Sequence, residues 1–338
     1  MGCGRRALSA ARACAAGLAV LLLGPMAAVR ASPGPAALSG RLVLPPLPAY
    51  DGTWRTAAHD LASTRYSPLA EIDTTNVSKL KEAWSWKTGI PHGHEAAPLY
   101  VDGRLYVVTP FPDRLVALEL STGKVLWDLD PRPDPAAQGI ACCDLVNRGA
   151  AYDGGRLFFA TLDDQMLAVD AATGKELWRT TVGDIAIGES MTMAPIVVKG
   201  KVLVGTRAES SACAAGSRRW TQPPATSPGA WSTGPDADVL IGPSFEPHDP
   251  QDRGKDLGVS SWPPDRWKIG GGNVWRWISY DAELDLVLYG TGNPGTWNPE
   301  QRPGENKWTA GSSRAARRRA RPTGSTSGAR TTPSTTTA

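Results

Sequence analysis

The sequence of 338 residues contains only five cysteines and four phenylalanines, and it lacks long helical and apolar runs. Beyond the first thirty residues, no apolar segment reaches the roughly 20 residues that a membrane-spanning helix needs, so the mature chain is predicted to be soluble. No extended 3.6-residue periodicity of apolar positions is present, which argues against a mainly helical fold. Two of the few cysteines, Cys142 and Cys143, are adjacent, so a bond between them would not link distant segments.

The N-terminus has the pattern of a secretory signal peptide. Two arginines near the start precede a short apolar stretch, and small residues follow around Ala31. The stretch is too short for a membrane span, so we expect residues 1–31 to be removed on export to an oxidising compartment. A retained amphipathic anchor is the alternative. Residues 32–49 are expected to form a flexible segment, and the oxidising compartment would allow a disulfide between the adjacent cysteines.

Positive charge is concentrated at the C-terminus. The net charge is +3, but residues 312–338 contain six arginines and no acidic residue, which leaves −3 on the first 311 residues. A tail rich in Arg, Thr, Ser, Pro and Gly is predicted to be disordered. Taken alone, the tail is compatible with binding of RNA or anionic surfaces.

A repeat of 51 residues organises the middle of the chain. The segments LVALELSTGKVLWDLD (115–130) and MLAVDAATGKELWRTT (166–181) match each other, with Gly123 and Trp127 of the first equivalent to Gly174 and Trp178 of the second. A fixed period of this size is typical of stacked supersecondary units. The chain contains thirteen tryptophans, which predicts a core built around indoles and packing of the repeated tryptophans between neighbouring sheets.

The repeated unit is predicted to be a small antiparallel sheet. PLYVDGRLYVVT and GRLFFATLDDQMLAVDA alternate apolar and polar residues, and Asp-Gly or Gly-Gly pairs interrupt the alternation, as in β-hairpins. A single small sheet cannot bury both of its faces. The sequence therefore predicts an all-β fold, with a β-propeller favoured over a β-sandwich.

Five motifs give the chain a specific family resemblance. They are GIPHGHEAAPLYVDG, TPFPDRLVALEL, ACCDLVNRG, DRWKIGGGNVWRWISYD and YGTGNPGTWNPEQRPGENKWT, in this order along the chain. They resemble the quinoprotein alcohol dehydrogenases, periplasmic methanol and ethanol dehydrogenases that use pyrroloquinoline quinone (PQQ). The resemblance runs from about Tyr50 to Gly311 and implies part of an eight-bladed propeller, of which residues 50–311 would supply about the first half.

The resemblance also implies a cofactor site. In this family an adjacent cysteine pair forms a disulfide that lies flat against one face of the quinone, which would give Cys142 and Cys143 that role, with Trp275 on the other face. Outside the family context, Trp275 would be a core aromatic and Glu95 a surface acid. The residues expected to bind PQQ are Glu95 as acceptor, Arg148 and Thr192 as donors, and Cys142, Cys143 and Trp275 as stacking surfaces.

The family further implies a metal ion, a base and redox partners. Asn293 of GTGN matches a ligand of Ca²⁺ or a lanthanide, both of which prefer oxygen ligands. The metal acts as a Lewis acid on the quinone, and an aspartate acts as general base on the primary alcohol. A c-type cytochrome is expected to accept the electrons, with a homodimer or a small subunit as further options and no nucleic acid.

Two stretches depart from the family pattern. The third repeat should place a Thr-Gly turn near position 225, where the printed sequence reads TRAESSACAAGSRRWTQPPATSPGAW (206–231). Codons displaced by one base permit a glycine at 225 and a tryptophan at 229, and a metal-binding glutamate at the codon of Ser210. The same displacement in residues 312–338 permits a tryptophan at 324 and the base aspartate at the codon of Thr335. We therefore interpret both stretches as out of frame.

This interpretation limits what the printed chain is expected to do. No catalytic residue is assigned within it, because the base aspartate is expected in the displaced tail, and the chain is expected to be inactive. The alternative from another functional class is a non-catalytic propeller scaffold of the cell envelope. The adjacent cysteines, Arg148, GGGNVWRW and GTGNP argue against a scaffold, which has no need of stacking surfaces or metal ligands.

Overall fold

The structure is a computed structural model that describes residues 51–140, 145–205 and 277–294, together with shorter pieces between 213 and 326. The shorter pieces are 213–214, 216–221, 229–232, 262–264, 270–274, 298, 300, 302–304, 306, 309, 312–316 and 321–326. The chain consists of two compact units. The first, Met1–Pro48, lies outside the described residues, and the second is Ala49–Ala338. The predicted signal peptide and flexible segment therefore lie outside the described residues.

The described strands form four four-stranded antiparallel sheets, each with its strands in sequence order. Each sheet is called a blade, numbered 1 to 4 along the chain. Blade 1 contains β1 (Leu99–Val101), β2 (Arg104–Val108), β3 (Leu115–Glu119) and β4 (Val125–Leu129). Blade 2 contains β5 (Ala150–Asp153), β6 (Arg156–Ala160), β7 (Gln165–Asp170) and β8 (Glu176–Thr181).

The later blades repeat this order with two additional short strands. Blade 3 contains β9 (Ile196–Val198), β10 (Lys201–Gly205), β12 (Gly216–Thr221) and β13 (Gly229–Ser232), and blade 4 contains β15 (Ile278–Asp281), β16 (Leu286–Gly290), β17 (Ser312–Ala316) and β18 (Arg321–Thr326). The short strands β11 (Cys213–Ala214) and β14 (Gly270–Gly271) pair in parallel. Short 3₁₀ helices occupy Val77–Lys79, Pro135–Gly139 and Ile185–Ile187. Repeated sheets of this kind confirm the all-β prediction and favour the propeller over the sandwich.

The hairpin turns form where the sequence predicted them. Asp102 and Gly103 connect β1 to β2 with φ values of 49° and 77°, and Gly154 and Gly155 connect β5 to β6 with 54° and 78°. Two central residues with positive φ are characteristic of the type I′ turn, whose twist matches the flanking strands. The Asp-Gly and Gly-Gly pairs thus fix the register of the first two hairpins.

The 51-residue period extends into the third blade. Strand β12 has the bounds of β7 advanced by 51 residues, although its residues fall in the stretch that we interpret as out of frame. Strands β17 and β18 likewise occupy part of the segment predicted to be a disordered tail. Backbone pairing explains these strands, because β10 and β16 would otherwise present unpaired N–H and C=O groups at a sheet edge.

Trp127 of the repeat packs between blades 1 and 2, as predicted, and Trp84, which precedes blade 1, docks in the same way. The Nε1 of Trp84 donates to the carbonyl oxygen of Leu120 at 2.8 Å, and the Nε1 of Trp127 donates to that of Ala171 at 3.1 Å. A methyl group on Gly174 would lie only 2.6 Å from Cδ2 of Trp127. The Thr-Gly-Lys turn of one repeat is therefore the surface on which the preceding tryptophan docks.

Within the described residues, where Trp262 is the one buried tryptophan, the core is not built around indoles, contrary to the prediction. The largest fully buried side chains of the described residues are phenylalanine, leucine and methionine, including Phe158 and Phe159. Trp127 and Trp178 are only partly buried and pack against the edges of the two main clusters. An indole carries an N–H that requires an acceptor, so these residues lie between blades, where turn carbonyls can accept from Trp127.

The first strands of consecutive blades form the inner part of the described structure. Strands β1 and β5 contact each other, as do β5 and β9. The segment before blade 1 crosses this inner region, because Trp54 pairs with Tyr100 and Thr56 pairs with Ala151. Among the described residues, no helix has the length and apolar character that a membrane span needs.

Candidate functional site

Three of the predicted cofactor residues meet around Arg148. Its Nη2 lies 2.9 Å from the Oε2 of Glu95, and its Nη1 donates to the Oγ1 of Thr192 at 2.7 Å. Arg148 is 9% exposed and Thr192 is 2% exposed, whereas the side chain of Glu95 is 46% exposed. The guanidinium is therefore held in the interior with one edge directed to a carboxylate that solvent can reach.

The backbone around Arg148 is fixed by its neighbours. The Arg148 N–H donates to the carbonyl oxygen of Thr192 at 3.1 Å, so two segments 44 residues apart are joined at this point. His94 forms a parallel bridge with Asn147, which places the adjacent Glu95 beside Arg148. Gly149 follows with a φ of 118°, and a methyl group there would lie 3.3 Å from the carbonyl oxygen of Ala97. A glycine is required at this close approach.

The chemistry of the cluster suits an anionic ligand. Arginine keeps its charge at all relevant pH values and presents several donors in a rigid plane. The hydroxyl oxygen of Thr192 accepts from Arg148, so its own proton is directed to another acceptor. A buried cation and a hydroxyl donor, with a carboxylate beside them, can bind a carboxylate or a carbonyl oxygen of a ligand through charge-assisted hydrogen bonds.

Asn293 lies in a second cluster, formed by the two glycine-rich motifs. The Gly272 N–H donates to the carbonyl oxygen of Asn293 at 2.8 Å, and the Gly292 N–H donates to that of Asn273 at 2.7 Å. The Nδ2 of Asn273 is buried and has no acceptor among the described residues. Asn293 is exposed. The motifs GGGN and GTGN are therefore joined by backbone hydrogen bonds, and Trp275 follows the first of them by two residues in the sequence.

The remaining predicted residues cannot be placed. Cys142, Cys143 and Trp275 lie outside the described residues, so their stacking role stays a prediction. Within the described part of the chain, no group of three His, Cys, Asp or Glu side chains is arranged to hold a metal ion. Asn293 supplies one neutral oxygen, which by itself does not make a site for a hard cation. The metal site is thus not completed by the residues that the structure describes.

The sequence interpretation missed Asp113, although it lies in the motif TPFPDRL. Asp113 is fully buried between blades 1 and 2, where its carboxylate accepts from the Leu162 N–H at 2.8 Å and from the Nδ2 of Asn147 at 3.0 Å. The repeat held a signal for it, because Asp113 and Asp164 are 51 residues apart, are both fully buried, and have φ values of 59° and 61°.

Burial makes Asp113 a titrating group near neutral pH. Desolvation raises its pKa from 3.8 to about 7, and the charge of Asp163 acts in the same direction, while the two N–H donors oppose the shift. Since the folded-state pKa exceeds that of the unfolded chain, the native protein binds the additional proton between pH 4 and 7. The stability contributed by this group is therefore present at low pH and is lost as the pH rises to about 7.

We predict that Asp113→Asn removes this pH dependence. Relative to the variant, the wild-type chain should lose roughly 4 kcal/mol of unfolding free energy between pH 4 and pH 8, because a shift of one pKa unit corresponds to about 1.4 kcal/mol. Urea unfolding of both proteins at several pH values measures the difference. Asp102→Asn is the control, since Asp102 also has positive φ but is exposed. A wild-type-to-variant difference that does not change with pH would contradict the prediction.

The comparison with protein families decides the assignment of the chain. The model for the PQQ β-propeller domain of glucose, ethanol and alcohol dehydrogenases matches residues 54–312. The chain belongs to this PQQ dehydrogenase family. The predicted resemblance to this family and the propeller fold are therefore confirmed.

Individual relatives agree with the family assignment. This chain is 44% identical to the lanthanide-dependent methanol dehydrogenase of Methylacidiphilum fumariolicum, over 76% of this chain and 43% of the relative. It is 40% identical to methanol dehydrogenase (cytochrome c) subunit 1 of Paracoccus denitrificans, over 90% of this chain and 48% of the relative. A solved europium-containing methanol dehydrogenase superposes with a TM-score of 0.77 at 41% identity, over 81% of this chain and 48% of that one. The chain thus spans less than half the length of these relatives.

Proposed function

We propose that this chain is part of a periplasmic dehydrogenase that oxidises primary alcohols of the methanol and ethanol type to aldehydes with PQQ. The observation that carries the proposal is the buried Arg148, joined to Thr192 and Glu95 in a chain of the PQQ family. A scaffold propeller has no use for a buried cation with a solvent-reachable carboxylate beside it. The cluster therefore favours the enzyme over the scaffold.

The described residues fit the cofactor chemically. PQQ is a planar quinone with three carboxylates, and it needs cationic and N–H or O–H donors at its edge. Arg148 and Thr192 supply a cation and a hydroxyl, and the buried Nδ2 of Asn273 is a further donor without an acceptor among the described residues. Bound at such a site, PQQ supplies the two-electron acceptor for the hydride of the alcohol.

Each residue of the chain then has a specific task. Arg148 neutralises a cofactor carboxylate, Thr192 donates its hydroxyl proton, and Glu95 accepts a hydrogen bond while it holds the guanidinium in place. We propose that Cys142 and Cys143, as a disulfide, and Trp275 exclude water from the two faces of the ring. Asn293 contributes one oxygen ligand to Ca²⁺ or a lanthanide. The remaining metal carboxylate and the base aspartate are assigned to the displaced codons of Ser210 and Thr335.

The surroundings of the reaction are part of the same proposal. Residues 1–31 direct the chain to the periplasm, and residues 50–311 form the propeller portion, with 206–231 and 312–338 out of frame. A c-type cytochrome accepts the electrons, in line with the name of the Paracoccus denitrificans relative, methanol dehydrogenase (cytochrome c) subunit 1. A small subunit or a second copy would complete the assembly. The printed chain is expected to show no turnover, so alcohol oxidation by it with PQQ and Ca²⁺ would contradict the out-of-frame assignment.

Arg148→Ala is expected to weaken PQQ binding by at least about 100-fold, or about 2.7 kcal/mol, because Glu95 would then repel the anionic cofactor. Arg148→Lys keeps the charge but loses the planar fork, so a loss of roughly tenfold is expected. Quenching of tryptophan fluorescence during titration with PQQ measures the dissociation constants.

The control for this experiment is Arg55→Ala. Arg55 also pairs with a carboxylate, that of Asp51 at 2.7 Å, but both side chains are about half exposed. Its loss should leave the affinity for PQQ unchanged. Equal affinities of wild type and Arg148→Ala, or no PQQ binding by the wild-type chain, would contradict the proposed function.

A further inference from the structure

Asp113 connects two blades through the segment that carries Arg148. It lies in the turn between β2 and β3 of blade 1, and both of its described hydrogen-bond donors belong to the second repeat. Leu162 is in the turn between β6 and β7, and Asn147 precedes β5. The carboxylate thus holds two separate parts of blade 2 at one point.

Asn147 is the link between Asp113 and the cofactor cluster. Its Nδ2 donates to Asp113 and, at 2.8 Å, to the carbonyl oxygen of Ala160, while its Oδ1 accepts from the Gly149 N–H at 3.0 Å. Both polar atoms of the Asn147 side chain, Oδ1 and Nδ2, are therefore engaged, through three hydrogen bonds. Because Asn147 is held by these bonds, the backbone of the adjacent Arg148 is fixed as well. From this position the Arg148 side chain reaches Thr192 and Glu95.

At position 113, an aspartate can hold Asn147 and Leu162 better than an asparagine could. Both groups that face the carboxylate are N–H donors, so two acceptor oxygens are needed. An amide would turn an NH₂ group towards one of these donors and lose that hydrogen bond. The hydrogen bonds to blade 2 are thus complete only for the ionised carboxylate, which carries an additional cost of burial.

We propose that Asp113 is a positioning residue, whose carboxylate fixes Asn147 against blade 2 and thereby sets the place of the Arg148 guanidinium in the cofactor site. The inference rests on the proposed function only in the role that it gives to Arg148. Protonation of Asp113 weakens one of its two hydrogen bonds, so the guanidinium is held most tightly when Asp113 is ionised.

The charged and titratable groups near this connection are few in the described structure. Asp163, in the turn that contains Leu162, raises the pKa of Asp113. Arg148 and Glu95 lie on the far side of Asn147, as does His94, whose Nε2 is 2.9 Å from the carbonyl oxygen of Ile90 and 3.1 Å from Thr88 Oγ1. Arg114, next to Asp113, pairs instead with Asp128.

The test follows the Nε–Hε signal of Arg148 by ¹⁵N NMR in the full chain without PQQ, with Arg148→Lys used to assign it. In the wild-type chain the signal is expected to shift with a midpoint near pH 7, where Asp113 titrates. In Asp113→Asn the signal should occupy a new position and show no such midpoint. In Asp102→Asn it should match the wild type, because Asp102 is exposed in the turn between β1 and β2.

The possible outcomes separate positioning from simple stabilisation. If Asp113→Asn lowers the melting temperature but leaves the Arg148 signal and its midpoint unchanged, the residue is only structural and the proposal is overturned. If the variant does not fold, the wild-type titration decides alone, and a signal that is constant from pH 5.5 to about 8.5 overturns it. Since PQQ is absent throughout, a failure of PQQ binding would count against the proposed function and not against this inference.

Discussion

Gly174→Ala is expected to lower the free energy of unfolding by roughly 4–5 kcal/mol, a large part of the 5–15 kcal/mol that stabilises a typical domain. Gly174 has a φ of 74°, which costs a residue with a side chain about 1 kcal/mol. Its new methyl group would also lie 2.6 Å from Cδ2 and 2.7 Å from Cε3 of Trp127. The indole must move, which breaks its bond to Ala171 and opens the packing between blades, at a cost of roughly 3 kcal/mol or more.

Gly103→Ala separates the two contributions. Gly103 has a nearly identical φ of 77° in the turn between β1 and β2, but no heavy atom lies within 4 Å of an added methyl group. Its replacement should cost only about 1 kcal/mol, the conformational part. Urea unfolding midpoints of both variants measure the difference. Equal losses would mean that Trp127 does not dock on the turn of blade 2.

The repeated architecture could be predicted because it depends on short-range features of the sequence. Asp102 with Gly103 and Gly154 with Gly155 require a tight turn wherever they occur between alternating segments, so the hairpins follow from local conformational preference. The bounds of β12 agree with the period, since they are those of β7 advanced by 51 residues. Such features do not depend on contacts with distant parts of the chain.

The interior of the site could be predicted only in part, because it depends on contacts between distant segments. The family motifs identified Arg148, Thr192 and Glu95, and the structure brings these three together. Asp113 was missed although the repeat places Asp164 at the equivalent position, because an aspartate after Pro112 also suits an ordinary turn. Its burial and its two donors arise only when blade 2 packs against blade 1.

The number of tryptophans gave a wrong prediction of the described core for a related reason. Composition shows how much indole is present, but it does not show whether an acceptor for each N–H lies in the core or between blades. In blades 1 and 2 the acceptors are turn carbonyls, which places Trp84 and Trp127 outside the densest packing. The largest fully buried side chains of the described residues are apolar ones, such as Phe158 and Leu167.

Trp178 gives the out-of-frame interpretation a structural test. Its Nε1 is buried and has no acceptor among the described residues, whereas the Nε1 atoms of Trp84 and Trp127 each bind a turn carbonyl of the next repeat. By the 51-residue period, the equivalent of Ala171 is position 222, which lies outside the described residues. A one-base displacement permits an Ala-Ala-Thr-Gly turn there, with its glycine at 225 as the docking surface.

Restoring the frame across codons 206–231 is therefore expected to make Trp178 a stabilising residue. Trp178→Phe should cost less than about 1 kcal/mol in the chain as printed and roughly 3 kcal/mol in the restored chain, where it removes a hydrogen bond and the packing of an indole on the turn. Urea unfolding of the four proteins gives the coupling between the frame and Trp178. Nucleotide sequencing of codons 200 to 340 tests the displacement itself.

Trp127→Phe is the matched control, because its acceptor, the carbonyl oxygen of Ala171, lies outside the altered stretch and is present in both chains. The loss of unfolding free energy caused by Trp127→Phe should be the same in the printed chain and in the chain with the restored frame. If Trp178→Phe also costs the same in both chains, the restored stretch does not form the docking turn, and the interpretation of 206–231 as out of frame is wrong. A difference confined to Trp178 would instead mean that the third blade gains the turn on which this tryptophan docks.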